Sequence, residues 1–240
     1  MNTLEIKKFN VETGGKQVAS DISLSMKEGE IHILMGPNGS GKSSFLNGLF
    51  GHPRYKASGS MVLDGKDISD LPTEKKAGLG LFFSTQHVPE ISGVSMLNFL
   101  HRAYRDTRGD NVSVLEFNKE TGERADKFGI SKEFLSRQVN YGFSGGEKKQ
   151  AEMLQLITLK PKFAFLDEID SGVDVDSLRR VFSAIEALKK EGVGFLLITH
   201  YPDILKKITP DFVHVMKEGK IVKSGGKDLA EEIAEKGFEG

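Results

Sequence analysis

The chain contains no cysteine among its 240 residues. Disulfides, thiolate zinc sites, cysteine nucleophiles and iron–sulfur clusters ligated by the chain's own thiolates are therefore excluded. Long apolar runs are also missing. The longest resemble Phe195 to Ile198, far short of the roughly 20 residues a membrane helix needs. The opening MNTLEIKKFN lacks the basic-then-apolar order of a signal peptide, so a cytoplasmic chain without direct membrane insertion is expected. Nor is there an excess of charge of one sign: 33 Lys and Arg face 34 Asp and Glu, giving a formal charge of −1. Such a balance supplies no field for holding a polyanion and argues against nucleic-acid binding. Neither low-complexity tracts nor a repeat at solenoid spacing is present.

What is there suits a globular domain. Apolar residues make up 38% and charged residues 28%, and a chain of this size can bury roughly 70–75% of the surface its unfolded form exposes. Apolar positions alternate at Leu4, Ile6, Ile22, Leu24 and Met26 around Gly14-Gly15, which predicts an antiparallel pair. Ile31 to Met35 reads as a short strand, followed by a glycine-rich loop and a helix from about Lys42 to Phe50. Gly59 to Ile68 reads as a further hairpin piece and Leu79 to Phe83 as a buried strand. Between about His87 and Leu159 the pattern turns helical, most clearly over Met96 to Arg105 and Gly146 to Leu159. Strand and helix then alternate through Phe163–Leu166, Val175–Lys190, Val193–Thr199, Ile204–Lys207 and Phe212–Met216, which predicts a parallel, doubly wound sheet. The helical block reads as an insertion, so residues 1–86 and 160–240 form an α/β core and 87–159 a helical subdomain.

Gly36-Pro37-Asn38-Gly39-Ser40-Gly41-Lys42-Ser43 meets every fixed position of the phosphate-binding loop pattern, between a strand and a helix. The glycines let backbone N–H groups converge on a phosphate, and the helix start adds a favourable dipole. Lys42 is expected to reach the β- and γ-phosphates of a nucleoside triphosphate and Ser43 to coordinate Mg²⁺. Phe163-Ala164-Phe165-Leu166-Asp167-Glu168 is an apolar strand ending in two acids. Successive strand residues point opposite ways, so the two are given separate tasks. Asp167 would hold Mg²⁺, directly or through water; Glu168 would orient or deprotonate the attacking water. Ser144-Gly145-Gly146-Glu147 opens a long helix, either as a simple N-cap or as an anion site with exposed backbone donors. His200 follows a buried strand at the carboxyl edge, where open α/β sheets bind ligands, and Gln86 ends another apolar strand.

In their order along the chain, the loop Gly36–Ser43, Gln86, Ser144–Gly146, Asp167-Glu168 and His200 resemble the motif series of the ABC ATPases: Walker A, Q-loop, signature, Walker B and H-loop. The resemblance implies a P-loop NTPase fold with a mixed-sheet core, an N-terminal antiparallel β region and an inserted helical subdomain. It implies ATP and Mg²⁺ as ligands. Gly36 to Ser44 and, from a second copy, Ser144, Gly145 and Gly146 would bind the nucleotide. Ser43, Gln86 and Asp167 would serve the metal; Glu168, His200, Gln86 and Lys42 would serve catalysis. It also implies a transient, ATP-dependent homodimer, head to tail, with weak hydrolysis by a single copy. Glu147 stands where transporter ATPases usually have Gln. With Asp170-Ser171-Gly172-Val173-Asp174, Thr199-His200-Tyr201 and the Pro210–Val215 and Ile221–Gly225 segments, the chain is similar to the SufC-type ATPases of Suf iron–sulfur cluster assembly. SufB/SufD-like, cysteine-bearing scaffold proteins are the partners this implies. A transporter nucleotide-binding subunit and an ATP-gated clamp are the competing readings. His32, His52, His87, His101 and His214 show no metal-ligand spacing and read as structural or surface residues. Lys148-Lys149, Lys189-Lys190 and Lys206-Lys207 read as solvated faces.

Overall fold

A computed structural model describes residues 2–85, 88–109, 111–168, 174–200 and 202–236. Gln86 and His87 therefore lie outside the described residues, as do 169–173 and Tyr201. Strands β1 (Thr3–Thr13) and β2 (Lys16–Lys27) form the antiparallel pair expected around Gly14-Gly15. β3 (Ile31–Met35), buried at every position, runs into the glycine loop and helix α1 (Lys42–Leu49). β4 (Lys56–Leu63) and β5 (Lys66–Asp67) extend the first pair to a four-stranded sheet of order β2-β1-β4-β5. A short α2 (Thr73–Gly78) leads to β6 (Leu81–Ser84). The middle of the chain comprises β7 (Ile91–Ser95), α3 (Met96–Arg108), α4 (Val114–Lys127), α5 (Glu133–Ser136), β8 (Gln138–Val139) and α6 (Gly145–Leu159). β9 (Phe163–Asp167), α7 (Val175–Lys190), β10 (Gly194–Ile198), a 3-10 turn over Pro202–Lys206, β11 (Phe212–Lys217), β12 (Lys220–Gly225) and α8 (Lys227–Lys236) follow.

The second sheet has the order β12-β11-β3-β10-β9-β6. Five of its strands are parallel, and β12 returns antiparallel on β11, so the sheet is mixed. Side-chain alternation divides the interior in two. Phe163, Phe165, Leu196 and Ile198 point into a core shared with the antiparallel sheet and α1; Ala164, Leu166, Phe195 and Leu197 point into one shared with the helices. Because both faces are covered, these strands read as unbroken apolar runs, which made them legible.

Within the stretch read as helical, two strands appear. β7 and β8 pair as a small antiparallel ribbon, Ile91 against Val139 and Ser95 against Gln138. Two residues of β8 carry no periodicity; the ribbon is fixed by long-range bonds instead. Gly93 N–H donates to Gln138 Oε1 (3.0 Å), Asn140 Nδ2 to the Pro89 carbonyl (2.9 Å) and Met96 N–H to the Arg137 carbonyl (2.8 Å). At the far end of α6, Arg108 donates to the carbonyls of Leu159 and Lys160, at 3.3 and 2.8 Å. Arg124 reaches those of Ile157 and Thr158, at 3.5 and 3.4 Å.

His32 and His214 are both buried, at 1% and 7% exposure. His32 Nδ1 lies 3.1 Å from His214 Nε2, His32 Nε2 lies 3.1 Å from Glu30 Oε2, and His214 Nδ1 lies 2.9 Å from Ser224 Oγ. A carboxylate only accepts, so the consistent neutral arrangement runs Ser224 to His214 to His32 to Glu30, each donating to the next.

Candidate active site

The phosphate loop is threaded tightly through other backbone. Gly41 has φ +104°, a region L side chains rarely adopt, and a Cβ there would lie 2.2 Å from the Val18 carbonyl oxygen. At Gly36 a Cβ would lie 2.0 Å from the Met216 carbonyl oxygen. Only glycine fits either place, and the freed space lets main-chain N–H groups face a ligand. No side chain caps α1, so its first amides also point into the loop. Gly41→Ala is accordingly expected to lower ATP affinity more than tenfold and destabilise the fold by about 3 kcal/mol. Nucleotide titration and urea unfolding check this, and unchanged affinity would refute the cradle.

Lys42 is buried, and its Nζ donates to the Gly36 carbonyl (2.8 Å), the Pro37 carbonyl (3.0 Å) and Ser40 Oγ (3.3 Å). Burial pushes its pKa down, while the charges of Asp167 and Glu168 pull it back up. A phosphate in the loop would replace neutral acceptors with charged ones, which bind an ammonium more strongly. Ser43 Oγ donates to Asp167 Oδ1 at 3.0 Å, joining the start of α1 to the end of β9. Asp167 is only 1% exposed, and burial raises its pKa to about 6 against the bond from Ser43 and the charge of Lys42. A hydroxyl beside a carboxylate is a hard oxygen pair that fits Mg²⁺. Among the described residues no three His, Cys, Asp or Glu side chains could hold a metal together. Two protein oxygens supplemented by substrate phosphate is how magnesium is usually held.

Asp167 and Glu168 are separated for a different reason than the pleat. β9 ends at Asp167, and Glu168 takes a left-handed φ of +50° with its N–H donating to the Ile198 carbonyl at 3.1 Å. That conformation costs a non-glycine residue about 1–2 kcal/mol, a cost that clusters at functional positions. The register pairs Ile198 with both Asp167 and Leu34. Three neighbouring strands, spaced roughly 4.8 Å apart, therefore deliver the phosphate loop, Asp167-Glu168 and Thr199-His200 side by side at their carboxyl ends. Gln86 lies outside the described residues.

Ser144, exposed, is the N-cap of α6. Its Oγ accepts from Glu147 N–H (3.3 Å) and its own N–H donates to Glu147 Oε2 (2.8 Å), a complete capping box. α6 packs on α3, α4 and α7, whereas α1 packs on β1, β2, β4 and β9. Ser144–Gly146 and Lys42 thus stand on different layers of the molecule. The Ser-Gly-Gly-Glu spacing signals the box, but nothing in the sequence singled out Arg137, which pairs with Glu147. Three of the lysines read as solvated faces make ion pairs instead, Lys148 with Glu90 at 3.0 Å. Lys149 is not a solvated face: it pairs with Glu152 at 2.9 Å, their side chains 13% and 4% exposed, because that side of α6 faces its neighbouring helices. Lys189 likewise pairs with Asp211 at 2.8 Å.

A mostly parallel sheet with a glycine phosphate loop after one strand and a carboxylate meeting the loop's serine from another defines a P-loop nucleotide-binding domain. The family model described as "ABC transporter" matches residues 19–171. The chain is 44% identical to Vegetative protein 296 of Bacillus subtilis, with 99% of this chain and 92% of that protein covered. It is 41% identical to a probable ABC transporter ATP-binding protein of Streptococcus pyogenes, with 100% and 95% covered. In fold it is similar to a bacterial ABC transporter cassette solved as a dimer, at TM-score 0.79 and 19% identity over 93% of this chain and 98% of that one. The chain belongs to the ABC ATPase family. It is an ATP hydrolase that uses ATP with Mg²⁺, and among the described residues no helix is long and apolar enough to cross a membrane.

Proposed function

We propose that the chain is the ATPase subunit of a cytoplasmic, Suf-type iron–sulfur cluster assembly complex. The observation that carries this reading is Glu147 in place of the transporter glutamine, in a chain with no cysteine to ligate a cluster itself. SufB/SufD-like scaffold proteins would supply the thiolates. Two copies pair head to tail, as the motif resemblance implies. In each site the Gly36–Ser44 loop and Lys42 grip the phosphates, and Ser43 and Asp167, with Gln86, hold Mg²⁺. Magnesium held there would offset the negative charge of the phosphates. Glu168 orients the attacking water, His200 contacts the γ-phosphate side, and Ser144, Gly145 and Gly146 of the second copy close over the nucleotide. The α/β core of 1–86 and 160–240 moves against the helical subdomain 87–159, and that motion deforms the scaffold.

Cluster yield on the copurified scaffold tests this. Lys42→Ala and Glu168→Gln should each reduce it at least tenfold against wild type, and equal yields would sink the assignment. A transporter nucleotide-binding subunit is the second reading, favoured by the name of the Streptococcus pyogenes relative. It requires detergent-dependent membrane partners in native mass spectrometry, where the Suf reading requires soluble, cysteine-bearing ones.

A further inference from the structure

The signature serine is set by a chain of contacts that begins outside the motif. Arg137, in the turn before β8, places its guanidinium 4.0 Å from the centre of the Phe143 ring and 5.4 Å from that of Phe134. The two rings meet edge to face at 5.3 Å. Phe143 is buried, at 7% exposure, and directly precedes Ser144. The same guanidinium pairs with Glu147 Oε1, while Glu147 Oε2 takes the Ser144 N–H. Arg137 holds the Glu147 carboxyl down at about 2, with the Ser144 N–H the next cause, so the pair is charged at any working pH. Through its carbonyl Arg137 also accepts the N–H of Met96, the first residue of α3.

The consequence for Ser144 is specific. Its Oγ already accepts from Glu147 N–H, so the hydroxyl proton is left to donate outward. Without the pair to Arg137 the carboxylate can rotate off the Ser144 N–H, and without the stack Phe143 no longer fixes the entry of the chain into α6. We infer that Arg137 is a positioning residue for the signature loop: through Phe143 and Glu147 it presents the Ser144 hydroxyl, with the Gly145 and Gly146 amides, to the triphosphate bound by a second copy. Lysine could not substitute fully, since it lacks the planar group that stacks and pairs at once. The inference rests on the cross-subunit reading of Ser144 given above, and the test separates the two.

The experiment uses the full chain carrying Glu168→Gln and reads ATP-dependent dimerisation by sedimentation equilibrium. Alongside it, binding of a fluorescent ATP analogue to the monomer and the melting temperature are recorded. Arg137→Ala is expected to raise the dimer dissociation constant at least tenfold, with monomer nucleotide affinity changed less than twofold. Arg137→Lys should fall between it and wild type. In a Ser144→Ala background, Arg137→Ala should cost less than it does alone, because the two share the hydroxyl and only the glycine amides remain to be displaced. If Ser144→Ala leaves dimerisation unchanged, or no dimer forms with ATP, the cross-subunit reading is wrong and the inference falls with it. If Ser144→Ala weakens the dimer but Arg137→Ala does not, or their effects multiply, only the positioning role is overturned. A parallel loss of monomer affinity and melting temperature would also overturn it, by making Arg137 a general support of the fold.

Discussion

Glu168→Gln is expected to slow ATP hydrolysis by about 100-fold or more, the range typical of losing a positioned base. The amide keeps the size of the side chain and one acceptor, but it loses the charge that orients a water and draws on its proton. Affinity for ATP should hold or rise, since a negative charge beside the phosphates is gone. The neighbourhood carries a second signature. Glu168 is one of the charges that raise the Asp167 pKa, behind burial. Its neutralisation should lower that value while Asp167 remains well above an ordinary aspartate. Phosphate release and nucleotide binding measured on the same preparations decide it. Hydrolysis within twofold of wild type would remove Glu168 from the reaction.

The second large effect concerns acid stability, and its source is far from the chemistry. His214 is pushed down to about 4 by burial and then by the nearby His32 ring. Burial also lowers His32, although Glu30 and Asp211 oppose it. One proton on His32 can be housed: the ring pairs with Glu30, and the donor chain reverses so that His214 Nδ1–H donates to Ser224. A second proton on His214 would set two cations face to face. When unfolded, His214 takes up its proton near the ordinary value of 6.5; folded, it resists until about 4. Between those values the unfolded state binds more protons, so stability rises with pH across the window and is lost on acidification. The full difference is worth about 3 kcal/mol. Lys189 already holds the neighbouring Asp211 at 2.8 Å and limits what that carboxylate can offer the rings. Urea unfolding from pH 7 to 4.5 should show the decline, and His214→Gln should flatten it. An equal slope in the variant would place the acid sensitivity elsewhere.

Local patterns carried most of the fold. The alternation around Gly14-Gly15, the apolar runs of β3, β9 and β10 and the glycine loop all lie within a few residues, where spacing alone dictates geometry. The same holds for Ser144 as a cap. What escaped depends on partners distant in the chain. β8 is a strand only because Ile91 and Ser95 lie opposite it. His32 and His214 look like isolated histidines until the pairing of β3 with β11 joins them. Lys149 looks like half of a solvated pair of lysines until the packing of α6 buries its contact with Glu152. Arg137 belongs to no pattern at all, since its meaning comes from Phe143 and Glu147 folding back onto it. The two acids show a subtler limit: strand alternation predicts opposed side chains, but the strand stops one residue early and a left-handed turn sets Glu168 instead.

α6 is fastened at both of its ends, by the Arg137–Glu147 pair at the signature and by Arg108 and Arg124 at the other. Its 15 residues make a rod that spans about 22 Å. The far fastenings come from α3 and α4, which the helix also packs against, so the three cannot slide independently. A torque applied at Ser144 would therefore be carried along α6 to the outer helices, as through a connecting rod. α6 also packs on α7, so the same rod ties the outer helices to the α/β layer, and its length sets the distance over which the two are linked.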